Sequence, residues 1–310
     1  MAQEKWLVDE PKVIDTGIVR ALRIGLVGGQ VDVVTHDEPT ARVEIHQVSG
    51  KPIKVEIEGD TLTVDHPQMR WDDVLGFLKS FRGGGARADV SILVPRDVTV
   101  TIGVVSAGVL LSGTERGATL NSVSGDVVLD GVIGDVVVNA VSGTTTLRDQ
   151  VGAVALRTVS GDVVATGEIR RFTADGVSSA VVLDLHGSPD QVKVNTVSGS
   201  VDVRLEHGTP YTSTINTATG RLQFDDAEIR GTRGSYTRTD GELAGSYVDI
   251  RINSVSGDVA IVHGHAPSTP EAPTTPDAPT TPDAPTTPGA PPAPAAPTAP
   301  SFDEQGGTIA

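Results

Sequence analysis

Asn121-Ser122-Val123-Ser124-Gly125-Asp126-Val127-Val128-Leu129 is one statement of a phrase that the chain repeats between residues 105 and 259. Its valine returns at Val105, Val123, Val141, Val159 and Val177, a constant step of 18. Val197 follows after 20 residues, Ala218 after another 21, and Val255 after 37, close to two steps. A fixed period means stacked units, each too small to bury a core alone. Two residues before the valine stand Asn121, Asn139, Asn195, Asn216 and Asn253, with Arg157 and Asp175 as the exceptions. After it come Ser124, Ser142, Ser160, Ser178, Ser198, Thr219 and Ser256, and then Gly in every case but Ser179.

Each unit divides again. Val123-Ser-Gly-Asp-Val-Val-Leu-Asp-Gly is answered by Val132-Ile-Gly-Asp-Val-Val-Val-Asn-Ala, two halves that each hold a turn and a short strand. Val201-Asp-Val-Arg-Leu205 alternates apolar and polar, as a strand with one buried face does. Such strands can form hairpins or a coil of parallel strands. Identical residues at one register favour the coil, where like stacks on like at ~4.8 Å. The expected fold is therefore all-β, a parallel β-solenoid of the β-helix or β-roll kind with ~18 residues per coil. Asn121, Ser124, Asn139, Ser142, Ser160, Asn195, Ser198 and Ser256 are expected to form structural ladders at one corner, each amide bonding its neighbours above and below. The Gly-Asp pairs at Asp126, Asp135, Asp162 and Asp258 also suggest a calcium-binding β-roll. Most halves have one glycine, however, and the acidic column is broken by Thr144, Ala180, Ser200 and Arg221.

The chain divides into four stretches. Residues 1–67 alternate in shorter runs, such as Arg42-Val-Glu-Ile-His46 and Lys54-Val-Glu-Ile-Glu58, and are expected to be an N-terminal cap with the first irregular coils. Within 68–86, Trp71, Val74, Leu75, Leu78 and Phe81 recur at helical spacing, Asp72 and Asp73 suit a first turn, and Gly83-Gly84-Gly85 ends the run. This reads as an inserted amphipathic helix over 69–82. It is either a cap folded back on the solenoid or a docking element, with Trp71, Leu75, Leu78 and Phe81 as candidate partner-binding residues. Residues 87–265 carry the repeats, with extra loop expected at 206–213 and 225–247. From 266 to 310 the chain is rich in Pro, Thr and Ala, with 13 of the 20 prolines, and reads as a disordered, polyproline-like tail.

Composition narrows the function. A net charge of −16 argues against a nucleic-acid partner. There is no cysteine, hence no disulfide or thiol chemistry, and no leader or membrane span is visible, so a cytoplasmic location is expected. The seven histidines show no metal-ligand spacing, and no nucleophile motif occurs. No catalytic residue, cofactor or metal site is assigned, and His263-Gly-His265 would need ligands from elsewhere to hold a metal.

The Val-Ser-Gly-Asp-Val units, the opening Leu26-Val-Gly-Gly-Gln-Val-Asp-Val33 and the inserted Leu75-Gly-Phe-Leu-Lys79 together resemble a bacterial family of candidate adhesins. It is a domain of unknown function built of β-strand repeats, also called toast-rack, and the chain is similar to its actinobacterial members over about residues 10–265. The resemblance implies a β-solenoid, no established activity, no catalytic residues to transfer, and an envelope-linked or scaffolding role. The expected function is a non-enzymatic interaction scaffold with a protein partner or self-association; contact with a membrane surface lacks a basic face to support it. The alternatives are a carbohydrate-binding or carbohydrate-cleaving β-helix, against which the 3% aromatic content speaks, and the calcium β-roll.

Overall fold

The computed structural model describes residues 3–67, 85–225, 227–231, 233–243 and 245–264. The helix expected over 69–82, with Trp71, Leu75, Leu78 and Phe81, and the proline-rich tail lie outside the described residues.

Every described element is a strand. At the N-terminal end β1 (Gln3–Val8) and β2 (Lys12–Ile18) form the outermost layer, and β3 (Ala21–His36) makes one whole lap. β4 (Thr40–Ser49) and β5 (Ile53–Glu58) run the other way, antiparallel to β2 and β1. β6 (Thr61–Asp65) and β7 (Arg87–Pro95) then lie parallel to the two halves of β3, with Thr61 opposite Ala21 and Ala88 opposite Gly29. Their other edges meet β5 and β4 antiparallel. This lap is therefore inserted between β3 and the strands that precede it in sequence.

The repeats follow as a parallel stack. β8 (Thr99–Ser112) lies on the free edge of β3. β9 (Ala118–Ser124) and β10 (Val127–Asp130) lie on the two halves of β8. β11 (Val136–Ser142), β12 (Thr145–Ser160), β13 (Val163–Ser178), β14 (Val181–Leu185), β15 (Gln191–Ser198) and β16 (Val201–Leu205) continue it. Asn121 faces Asn139, Ser124 faces Ser142, and Ser160 faces Ser178, so an 18-residue step is one lap. Period-2 alternation then points Leu120, Val138, Leu156, Ala174 and Val194 into the core from one wall, and Leu129, Leu147, Ala165, Leu183 and Val203 from the other.

The C-terminal end departs from simple succession. β17 (Tyr211–Thr219) and β18 (Arg221–Phe224) form a lap, and β19 (Ala227–Arg230) and β20 (Gly234–Asp240) cover its outer edge antiparallel. The chain then turns back. β21 (Val248–Ser256) and β22 (Val259–His263) enter between β15–β16 on one side and β17–β18 on the other, parallel to both. The last copy of the phrase is thus the neighbour of Val197, and Ala218 lies beyond it. Residues 225–247, expected to bulge as loop, supply the antiparallel strands that close this end. Both ends slot a later lap in behind a reversed pair of strands; at the N-terminal end that pair is itself covered by β1 and β2. At the C-terminal end the outermost strands carry Glu228, Arg230, Arg238 and Asp240, a poor template for another chain to extend.

Candidate functional site: a valine groove along the stack

The corner phrase builds one continuous feature. Residues two apart on a strand share a face, so the asparagine and valine of each lap both point outward, and the small residue between them points in. Those inward residues are Ser122, Ala140, Thr158, Gly176, Thr196, Ser254 and Thr217. The result is a groove that crosses the strands. A 640 Å³ stretch is lined by Val105, Val123, Val141, Val159 and Val177 on one wall and by Asn121, Asn139, Arg157, Asp175 and Asn195 on the other. It continues past Val197 and Val255 into a further 480 Å³. Val141, Val159, Val177, Val197 and Val255 are 47, 51, 47, 49 and 54% exposed, an unbroken row on five neighbouring laps. Toward the other end the row becomes sheltered, with Val123 and Val105 half-buried and Val27, in the same register on β3, only 7% exposed.

The polar wall is bonded within itself. Asn139 Nδ2 donates to Asn121 Oδ1 (3.0 Å). A second run begins at Asp175, whose Oδ1 accepts from Asn195 Nδ2 (2.7 Å); Asn195 Oδ1 accepts from Asn253 (2.7 Å), and Asn253 Oδ1 from Asn216 (2.8 Å). Arg157 separates the two runs. It is a register partner of both Asn139 and Asp175, yet its guanidinium makes no hydrogen bond or ion pair with any described residue.

The serines sit at the rim, where the backbone ladder is interrupted by the corner. Ser124 Oγ donates to Val105 O and Ser142 Oγ to Val123 O, both at 3.1 Å, and Thr219 Oγ1 to Val255 O at 3.4 Å. Each hydroxyl therefore caps the carbonyl of the lap beside it; Ser178 and Ser198 alone bond hydroxyl to hydroxyl, at 3.0 Å. Ser160 and Ser256 stand in the same row.

The acidic column has a different task from metal binding. Asp126 Oδ1 accepts the Thr144 N–H (2.9 Å), Asp135 that of Ala153 (3.2 Å), Asp162 that of Ala180 (3.2 Å) and Asp258 that of Arg221 (2.9 Å). In spatial order the column reads Asp126, Thr144, Asp162, Ala180, Ser200, Asp258, Arg221, so no two of its acids are adjacent. Carboxylates ~4.8 Å apart would repel, and each lap needs an acceptor only where its neighbour offers an amide. Among the described residues no group of three or more His, Asp or Glu is placed to hold a metal ion.

A titratable cluster lies at the inserted last lap. His263 Nδ1 lies 3.0 Å from Asp225 Oδ2, and Nε2 lies 3.0 Å from Thr209 O and 4.0 Å from Asp240 Oδ2. Burial works against the imidazolium, but the Thr209 carbonyl and the Asp225 carboxylate outweigh it and raise the His263 pKa. Asp225 also accepts the His263 N–H at 2.7 Å. Four arginines at this end are engaged: Arg221 with Glu228 and Asp258, Arg230 with Glu228, and Arg251 with Asp249, while Arg238 lies over the Phe224 ring. At the other end His66 is buried and accepts the Val27 N–H at Nδ1 (3.4 Å); burial lowers its pKa to about 4. Both histidines hold segments together and neither faces the groove.

Sequence alone singles out the asparagines and serines of this corner and passes over the valines. The signal was present in the two-residue spacing, which puts Asn and Val on one face. No helix among the described residues is long and apolar enough to cross a membrane.

Three solved structures are similar to the chain. A candidate cell adhesion protein of Clostridium sporogenes is 10% identical, with a TM-score of 0.27, and 82% of this chain and 100% of that one are covered. A candidate adhesin of Bacteroides fragilis is 14% identical, with a TM-score of 0.31 and coverage of 82% and 97%. A candidate lipid-binding protein of Parabacteroides distasonis is 10% identical, with a TM-score of 0.31 and coverage of 81% and 96%. No curated protein matches the chain. The family model described as Toastrack DUF4097 matches residues 21–262, nearly all of the strand stack. The chain belongs to the Toastrack DUF4097 family.

Proposed function

We propose that this chain is a non-enzymatic, adhesin-like interaction scaffold that holds another polypeptide along the valine groove. The observation that carries this reading is the row of five half-exposed valines from Val141 to Val255, in register on neighbouring laps. An isolated exposed valine is ordinary, but a continuous apolar strip rimmed by polar groups marks a contact face. The polar wall favours a polypeptide over a sugar. Its amides are largely spent on one another, which leaves few hydrogen bonds for hydroxyls, and among the described residues no aromatic ring lines the groove to stack on a pyranose.

The test is affinity capture from the native cell with the intact chain and with the Val141→Asp/Val159→Asp variant, beside a glycan array. A dominant protein captured by the first and lost by the second supports the scaffold. Capture indifferent to the two aspartates, or a specific glycan signal, overturns it.

A further inference from the structure

We propose that the groove is the two-fold interface of a homodimer, in which a second copy of this chain lays its own groove over this one with the laps in reverse order. That pairing rests on the contact-face reading above and names the polypeptide that the groove holds.

The lining has the symmetry such an interface needs. The groove crosses eight laps in register, from Gly103 and Val105 at one end to Asn216 and Ala218 at the other. Its midpoint falls between the fourth lap and the fifth, which is between Arg157 and Asp175. These two are the only charged residues among those that line it. Away from the midpoint the polar wall continues as Asn139 and Asn121 on the arginine side, and as Asn195 and Asn253 on the aspartate side. Laid on itself in reverse, the wall sets Arg157 of each copy against Asp175 of the other, and asparagine against asparagine. The apolar wall reverses as well: Val159 meets Val177, Val141 meets Val197 and Val123 meets Val255 of the second copy. A two-fold contact uses the same patch twice and requires this self-complementarity.

The two charges are available, and they choose the axis. The Arg157 guanidinium has no partner among the described residues, and Asp175 uses only Oδ1, which accepts from Asn195 (2.7 Å). A charge covered without a partner is costly. Two directions in the plane of this face can carry a two-fold axis. An axis along the groove lays the valine wall of each copy on the polar wall of the other and leaves Arg157 opposite Val159. An axis across the groove, parallel to the strands, reverses the laps and gives each Arg157 a carboxylate. The next row outward accepts the same reversal: Lys193 and Arg251 come opposite Val137 and Thr119, so no like charges meet. The chain as a whole carries −16, which opposes association through its acidic surface, whereas the groove lining holds one charge of each sign.

The test uses the full-length protein and charge reversal. Sedimentation over a range of concentrations should show a parent dimer. Arg157→Asp alone brings like charges together at both symmetry-related pairs, and so does Asp175→Arg alone; each should weaken the dimer roughly tenfold or more. Mixed in equal amounts, the two variants regain both opposite-charge pairs and should form a mixed dimer of near-parent affinity. Mixing cannot repair a damaged fold, so this recovery separates lost contact from lost structure. The absence of cysteine lets the register be read as well. Val141→Cys and Val197→Cys proteins, mixed and treated with a short bifunctional thiol reagent, should give a product of twice the chain mass. Val141→Cys by itself should not, because reversal about the midpoint holds its two copies three laps, ~14 Å, apart.

A monomer at every concentration overturns the proposal. So does a dimer that Arg157→Asp leaves at parent affinity, a pair of charge variants that stay apart when mixed, or Val141→Cys that cross-links to itself. If a cellular protein is still captured through the valines while the chain stays monomeric, the scaffold reading survives and this partner does not.

Discussion

At the scale of residues, the corner is set by contacts that tolerate no added atom. Gly143 has φ +106°, and a Cβ there would sit 2.5 Å from the Gly125 carbonyl oxygen. Gly131 has φ +60° with nothing within 4 Å of an added Cβ. Gly131→Ala should therefore cost ~1 kcal/mol, the left-handed penalty alone, and Gly143→Ala at least ~2 kcal/mol more, because backbone must shift. Urea titration of the two variants checks the difference. His66 and His263 oppose one another in pH. His66 stays neutral in the fold down to about 4 against 6.5 in the unfolded chain, so its contribution is complete above pH 6.5 and is lost as pH falls toward 4. The loss is on the order of 3 kcal/mol. His263 holds its proton above its ordinary pKa of 6.5, so its contribution is complete below that pH and disappears as pH rises through the raised value. Melting temperature from pH 4 to 9 should show a shallower acid-side slope in His66→Leu and a shallower alkaline-side slope in His263→Gln.

At the scale of elements, a lap is a closed ration of volume. β13 brings Phe172, fully buried, into a core filled mainly by Val, Leu and Ile, with the small Ala174 two residues on along the same face. Phe172→Ala leaves a buried cavity and should cost ~3–5 kcal/mol, measured by thermal or urea unfolding. The polar ladders are weaker and local. Asn253 both donates and accepts along its column, but it is exposed, so Asn253→Ala should cost ~1 kcal/mol. Much at this scale was legible beforehand. Repeated Asn-x-Val-Ser-Gly specifies a turn, a strand phase and a parallel neighbour, and these are local properties of the backbone. The valine row is equally written in the phase, but valine on a strand reads as core. The task of the acids was not legible. Asp126 and Thr144 are 18 residues apart, and only the stack shows that one accepts the other's N–H.

At the scale of the whole stack, the ends differ from the middle. Each lap contacts its two neighbours, so damage should spread along the pile to adjacent laps. Ile252 is fully buried on β21, part of the last lap in sequence but of an interior one in space. Ile252→Ala should cost ~2–5 kcal/mol. It should quicken amide exchange in both β15 and β17 when read by hydrogen–deuterium exchange. A chain stacked in simple succession would show the effect in β17 and not in β15.

By itself the sequence determined the parallel stack, its 18-residue lap, the residues that face inward and the corner where glycine and serine gather. All of these follow from backbone geometry repeated at constant spacing. Tertiary structure alone decided the order of the laps at the two ends and the joining of separate valines into one groove. Slotting a late lap behind a reversed pair of strands covers edges that simple succession would leave open. That choice depends on which free edge is available, and no spacing along the chain encodes it.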